Sequence, residues 1–264
     1  MKRWIAAMAL AAGLALVGQA EANDWPNGAR AAVVLTYDDA LESQLTNAIP
    51  ALAAHGFKAT FFLSNVRQAD IPRWRAVAAE GHELGNHTIF HACAAATFPA
   101  DPRYTTEAYT IPSMLKEIEQ QNVILSAIDG RATHGLATPC GQSLAGGVDY
   151  LEALRAANLV TYVRGVFARP EDFGADVATM DRMHIPAAGF PEDVTGAQLI
   201  AYAQQAIDGG GMAVFLFHGV AGDHLQVSAQ AHAELLDWLA AHRDEVWVTT
   251  LQGALDWNAD QPAR

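Results

Sequence analysis

Positive charge is scarce in this 264-residue chain. Lys and Arg number 16 against 29 Asp and Glu, so the formal charge is −13 and the isoelectric point about 5.0. Such a balance leaves no electrostatic footprint for nucleic acid, whose affinity rests on phosphate neutralisation. Internal repeats and low-complexity tracts are absent, which argues against a repeat array and against disorder. Long apolar runs are missing too, apart from Ile5–Val17 near the start, and that run is too short to span a bilayer comfortably. Cysteine occurs only at positions 93 and 140.

What is present suits one domain with a real core. The chain is 51% hydrophobic and 17% charged, as expected of a single large α/β barrel. The first 22 residues stand apart. Lys2-Arg3 is a positive n-region, Ile5–Val17 an apolar core, and Ala20-Glu21-Ala22 an A-x-A cleavage signal. They predict a secretory signal peptide cut after Ala22, a domain over 23–264, and a secreted or periplasmic protein with no membrane span once cleaved. No cysteine lies near the cleavage point to carry a lipid anchor. Export makes Cys93 and Cys140 a candidate disulfide, the alternative being two buried free thiols.

Gly85-Asn86-His87-Thr88-Ile89-Phe90-His91 carries the clearest chemistry. Two histidines four residues apart lie one above the other if the segment makes a single helical turn. They could then hold one divalent ion from the same side, with a third ligand and an open position still needed. Asp38-Asp39, after the apolar run Ala31–Leu35, is the best donor elsewhere. Taken alone, an HxxxH pair is often merely solvated, and an Asp-Asp after a strand is usually a turn or a helix cap.

Order along the chain changes that balance. Strands are expected at Ala31–Thr36, Ala59–Ser64, Glu83–Asn86, Gly135–Pro139, Val160–Arg164, Arg182–Pro186, Met212–Phe217 and Val246–Thr250. Helices are expected at Leu41–His55, Ile71–Glu80, Ser113–Ile128, Val148–Ala157, Thr195–Ile207 and Ser228–His242, several stopped by glycine. Ala92–Pro112 reads as one long irregular loop of the kind that is usually functional. Alternation of strand and helix predicts a parallel sheet, here a distorted barrel of about seven strands. Asp38-Asp39, His87, Pro139–Gly141, Arg164 and His218 all follow strands, on the rim where such barrels place catalysis.

At these residues the chain resembles the polysaccharide deacetylases, the NodB-homology group of carbohydrate esterase family 4. The family's T-F-D-D-G is Thr36-Tyr37-Asp38-Asp39-Ala40, its H-[ST]-x-x-H is His87–His91, and its L-x-H is Leu216-Phe217-His218. R-x-P-Y-G survives only in part, as Ala137-Thr138-Pro139-Cys140-Gly141. The resemblance implies that Asp39, His87 and His91 bind a divalent metal, zinc by preference. Asp38 would be the general base, His218 the general acid, and the main-chain N–H of Cys140 an oxyanion donor. It implies hydrolysis of acetyl groups on an acetylated oligo- or polysaccharide, N-linked or O-linked. Hydrolysis of another amide or ester, or a carbohydrate-binding protein that has lost catalysis, are the rival readings. Oligomeric state is not legible.

The departures matter. Ala137 stands where the family arginine pairs with the catalytic aspartate. Arg164 could supply that charge from another strand, or be an ordinary surface arginine. Family geometry puts both cysteines at the pocket, where a bridge would tie the metal turn to the oxyanion loop; a thiolate ligand is the competing reading. Asp176 and Asp181 are candidates to orient His218. His224 is a candidate to line the cleft. His232 is expected to be structural, His184 to be core in preference to facing the pocket, and His55, His82, His134 and His242 surface or terminal. Trp74, Trp238, Trp247 and Trp257 are expected to pack the core, and Phe98, Tyr104 and Tyr109 to offer rings to a sugar.

Overall fold

The structure, a computed structural model, describes residues 25–97 and 101–259. The expected leader, 1–22, and Phe98 lie outside the described residues.

In chain order the elements are β1 (Ala31–Asp38), α1 (Ile49–His55), β2 (Thr60–Leu63), α2 (Ile71–Ala79), β3 (Glu83–Asn86), α3 (Ile111–Asp129), β4 (Leu136–Ala137), a hairpin of β5 (Leu144–Ala145) and β6 (Val148–Asp149), α4 (Leu151–Ala157), β7 (Val163–Arg164), β8 (Ala188–Gly189), α5 (Gly196–Gly209), β9 (Met212–Phe217), α6 (Ala229–Ala241), β10 (Val246–Thr249) and α7 (Leu251–Ala259). The strands other than the hairpin form one parallel sheet in the order β7-β4-β3-β2-β1-β9-β8, with β10 beside the first half of β1. The two edges are joined by residues 182–189. Ile185 bridges Arg164 of β7, and Ala188 pairs with Phe215 of β9. The result is the expected distorted barrel: among the described residues seven strands follow one another around it, and β10 pairs beside β1. The strand expected at Arg182–Pro186 is reduced to that one bridge, because Pro186 has no N–H to extend a ladder.

Every residue of β1 is buried, as a parallel strand covered on both faces should be. Its side chains alternate. Ala31, Val33, Leu35 and Tyr37 face the layer packed under the surrounding helices. Ala32 and Val34 face the barrel interior with Phe62, Ala137, Ile185 and Val214. Asp38 continues that interior series by the period of two. Burying each large side chain of these layers stabilises the fold by about 1.5–3 kcal/mol.

Helix ends follow their local chemistry. Thr110 and Ser113 form a reciprocal cap on α3, Pro112 sits in its first turn, and Gly130 closes it in the left-handed conformation. The hydroxyl of Ser113 is spent inside that cap, so the helix begins two residues earlier than expected. α7 was not anticipated. It is short, with Gly253 inside it, yet Leu251, Ala254 and Leu255 close one end of the interior. The helix expected over Leu41–His55 opens with a π-helical turn, Gln44–Ala48, before α1 proper.

His82 and His134 are buried at 4% and 2% exposure, not at the surface as expected. The ring of His82 accepts the Ala59 N–H through Nδ1 at 3.2 Å. Burial, and secondarily the charge of Lys58, push its pKa down to about 4. An unfolded histidine takes its proton near pH 6.5, so this group lowers stability as pH falls from about 6.5 to 4 and has no effect above. His82→Asn keeps an acceptor near the Nδ1 position. Denaturant unfolding between pH 7 and 4.5 is expected to show a pH slope shallower than wild type by up to about 1.4 kcal/mol per unit. Identical slopes would exclude His82 as a source of acid sensitivity.

Candidate metal centre

β1 ends in Asp38 and runs into Asp39, β3 runs into His87, and β9 runs into His218. Parallel pairing in register brings those three ends together. Asp38 lies opposite Phe62, Leu63 opposite Asn86, and Tyr37 opposite Phe217.

The HxxxH segment is not a helical turn. His87–His91 is an irregular loop, with Thr88 and His91 in the left-handed region at φ 59° and 53°. Side chains, not helical hydrogen bonds, hold it. Asn86 Oδ1 accepts the Thr88 N–H at 2.7 Å, and Thr88 Oγ1 accepts the His91 N–H at 3.1 Å. Glu117 Oε1, from α3, accepts the N–H groups of Ile89 and Phe90 at 2.9 and 2.8 Å. Those acceptors compete with the helix for the same donors and win.

The loop nevertheless brings the two imidazoles together, edge to face with ring centroids 4.7 Å apart. His87 Nε2 and His91 Nε2 are 3.1 Å apart, and each is 3.4 Å from Asp39 Oδ1. A tetrahedral ion with bonds of about 2.0–2.1 Å separates its ligand atoms by roughly 3.3–3.4 Å. The spacing therefore fits zinc. The protonation pattern fits too: His87 Nδ1 donates to the Ala137 carbonyl at 2.8 Å, which leaves Nε2 as the lone-pair side. Burial raises the pKa of the Asp39 carboxyl, but the hydrogen bond from His224 and the imidazoles around it outweigh that, so the group lies well below the carboxylate range. Burial, then the His87 charge, push His91 down to about 4, the neutral form a ligand needs.

Asp38, 2% exposed, points inward beside this triad. One oxygen, Oδ2, accepts from Arg164 Nη2; the other, Oδ1, is buried without a hydrogen-bond partner among the described residues. Arg164 is fully buried, not at the surface. Its guanidinium lies over the Phe62 ring at 5.0 Å and donates to Gly165 O at 3.1 Å. Gly85 leaves room for that ring, since a Cβ there would meet Phe62 at 2.4 Å. Ala137 and Arg164 are register partners on β4 and β7. The guanidinium that the partial motif lacks at Ala137 therefore enters from the next strand, past a side chain small enough to let it by.

His218 stands on the open side, 20% exposed in its side chain, with Nε2 3.9 Å from Asp39 Oδ2. Burial lowers its pKa. Neither Asp176 nor Asp181 orients it: Asp181 pairs with Arg155, and Asp176 accepts the Ala178 N–H. Gln44, in the π-helical turn, instead donates to the carbonyls of Asp38 and His218 and ties the two strand ends together. A lone Gln inside an apparently regular helix gave no sign of that. His224, a cleft candidate, donates from Nε2 to Asp39 Oδ2 at 2.8 Å.

Cys93 and Cys140 form a disulfide, with Cα atoms 5.8 Å apart, so neither offers a thiolate to a metal. The bridge ties the chain beyond His91 to the turn Pro139–Gly141. That turn's internal bonds use the N–H groups of Gly141 and Gln142, which leaves the Cys140 N–H unspent on them.

The other expected roles divide. His232 is buried on α6 against Tyr37 OH at 2.7 Å, and Trp74 is buried, both as expected. His184 is not core; its side chain is 59% exposed and faces Asp181. Trp257 is 36% exposed. Tyr109 is buried with its hydroxyl on Glu117, whereas Tyr104 stacks on Phe90 with ring centroids 4.2 Å apart. Phe90 itself is 49% exposed and was overlooked as the x of a metal motif.

A parallel (β/α) barrel that gathers an Asp-Asp pair and three histidines at its strand ends defines a NodB-type fold. Residues 26–160, just over half of the chain, match the family model described as "Polysaccharide deacetylase", and the chain belongs to that family. The fold matches, at TM-score 0.54 and 19% identity, the peptidoglycan deacetylase PdaC from Bacillus subtilis, over 86% of this chain and 90% of that one. It matches a Mycobacterium smegmatis protein classed as a polysaccharide deacetylase at TM-score 0.62 and 18% identity, over 92% and 97%. A curated relative, a gellan lyase from Bacillus sp, is 31% identical over 124 residues, which is 47% of this chain. The matched stretch is only 5% of that relative's length.

Proposed function

We propose that this protein is a metal-dependent hydrolase that removes acetyl groups from acetylated carbohydrate outside the cytoplasm, after loss of a signal peptide at residues 1–22. The observation that carries the reading is the spacing of Asp39, His87 and His91, with Asp38 and His218 beside them. Asp39, His87 and His91 would hold a divalent ion, zinc by preference. Bound there, the ion supplies Lewis acidity, which makes water acidic enough to attack near neutral pH and polarises the acetyl carbonyl.

This chain's own groups do the rest. Asp38 takes a proton from the attacking water through its free Oδ1, while Arg164 holds Oδ2. The Cys140 N–H faces the developing oxyanion, and the disulfide fixes that turn relative to His91. His218 gives a proton to the departing amine or hydroxyl. The same groups serve N-acetyl and O-acetyl substrates. An exposed Phe90, stacked on Tyr104 and anchored through Glu117, rims a groove of about 380 Å³ next to the histidine loop. None of Asp38, Asp39, His87, His91 and His218 lines that groove, so the ring suits a neighbouring sugar of a polymer rather than the reacting group.

Acetate release from a panel of acetylated glycans and simple esters tests the reading. Release from glycan is expected, lost with chelator and restored by zinc. In the same assay Phe90→Ala is expected to raise KM about five-fold at similar kcat, the loss of about 1 kcal/mol of ring contact. Chelator-resistant release would contradict the metal mechanism. Turnover confined to non-glycan esters would contradict the substrate class.

A further inference from the structure

His224 lies outside every motif that carries the family resemblance, and it is half-exposed, with 55% of its side chain accessible. Its Nε2 nonetheless lies 2.8 Å from Asp39 Oδ2, while Asp39 Oδ1 faces His87 and His91. A carboxylate can only accept, so the imidazole donates. We propose that His224 is a positioning residue of the metal centre: it grips one oxygen of Asp39 so that the other is presented to the ion. The proposal rests on Asp39 being a ligand, as argued above.

The surrounding backbone is built to make this contact. His224 belongs to the loop between β9 and α6, and Asp39 to the loop between β1 and α1. Ser43 ties the two loops. Its N–H donates to Asp223 Oδ2 at 2.7 Å, its hydroxyl donates to Gly222 O at 3.1 Å, and that hydroxyl accepts the Val220 N–H at 3.2 Å. Gly219 accepts no side chain, because a Cβ there would lie 1.9 Å from Gly222 O. Asp39, Ala40, Ala221, Asp223 and Leu225, all non-glycine, take left-handed φ values of 82°, 55°, 52°, 62° and 47°. Each such residue costs on the order of 1 kcal/mol, and strain of this kind persists where the surroundings over-determine it. Here it is concentrated in the two loops that meet at the His224–Asp39 contact. A surface histidine that met Asp39 incidentally would have no need of so constrained a loop.

Zinc affinity of the metal-free protein, measured by competition with a chromophoric chelator, tests the proposal without any turnover. His224→Ala is expected to weaken zinc binding about 10–100-fold, as loss of an outer-shell partner does. His224→Gln, whose amide N–H reaches a similar place, is expected to recover most of that loss. The cobalt-substituted His224→Gln protein is expected to keep the wild-type visible spectrum, because the ligand set is unchanged. Wild-type-like affinity in His224→Ala would overturn the positioning role. So would a changed cobalt spectrum in His224→Gln, which would make His224 a ligand itself. A wild-type protein that binds no zinc would instead overturn the metal-centre reading, and this proposal with it.

Discussion

Asp38→Asn is expected to lower kcat by about 10²–10⁴-fold while zinc affinity stays close to wild type, because a general base contributes in that range and metal binding uses other residues. The substitution is nearly isosteric, so Arg164 Nη2 still meets an oxygen at the Oδ2 position. What changes is the atom at Oδ1, which is buried and unpartnered among the described residues. An amide nitrogen there cannot take a proton. The variant also leaves the buried Arg164 guanidinium without a counter-charge, so some loss of stability accompanies the kinetic effect. Near-UV circular dichroism gives the folded fraction against which kcat is normalised. His87→Ala supplies the contrast: zinc and activity are lost together. If Asp38→Asn keeps kcat within ten-fold of wild type per folded, metal-loaded molecule, Asp38 is not the base.

Most of the candidate site was legible in the sequence because Asp39, His87 and His218 each directly follow a strand, and parallel register turns that pattern into proximity. Asp38 ends a fully buried strand and Asp39 follows it, His87 follows β3 and brings His91 with it, and His218 follows β9. Local conformation was less legible. Four-residue spacing pointed to a helical turn at His87–His91, but Asn86, Thr88 and Glu117 claim the N–H donors first. Glu117 lies 26 residues beyond His91, and no local pattern announces it. Gln44 and His224 were dim for the same reason: each acts through one contact across more than 170 residues of chain. Buried His82 and His134 read as surface groups because a histidine's polarity says nothing of the pocket that receives it. The platform of Phe90 and Tyr104 was half seen, since the tyrosine was noted and its partner was masked by the motif around it.

Arg164→Ala is the second large effect, and it separates two meanings of the missing motif arginine. If Arg164 has taken over that role, its removal leaves Asp38 nearly inaccessible to water and without a cation. Breaking one side of a buried pair costs about 3–5 kcal/mol of stability. Catalysis is expected to fall as well, by about 10²-fold or more, because the base loses the group that holds its orientation. Arg164→Lys restores charge without the planar fork and should recover stability more than kcat. The decisive variant is the double change Ala137→Arg with Arg164→Ala. Residues 137 and 164 are register partners on adjacent strands, so the exchange returns the guanidinium to the motif position and empties the space it left. Recovery of kcat well above that of Arg164→Ala is expected, measured on the folded fraction. Should Arg164→Ala retain full activity, the buried ion pair is structural and the barrel works without the arginine; should the double variant fold yet stay as impaired as the single one, the charge must come from β7 and the two positions are not interchangeable.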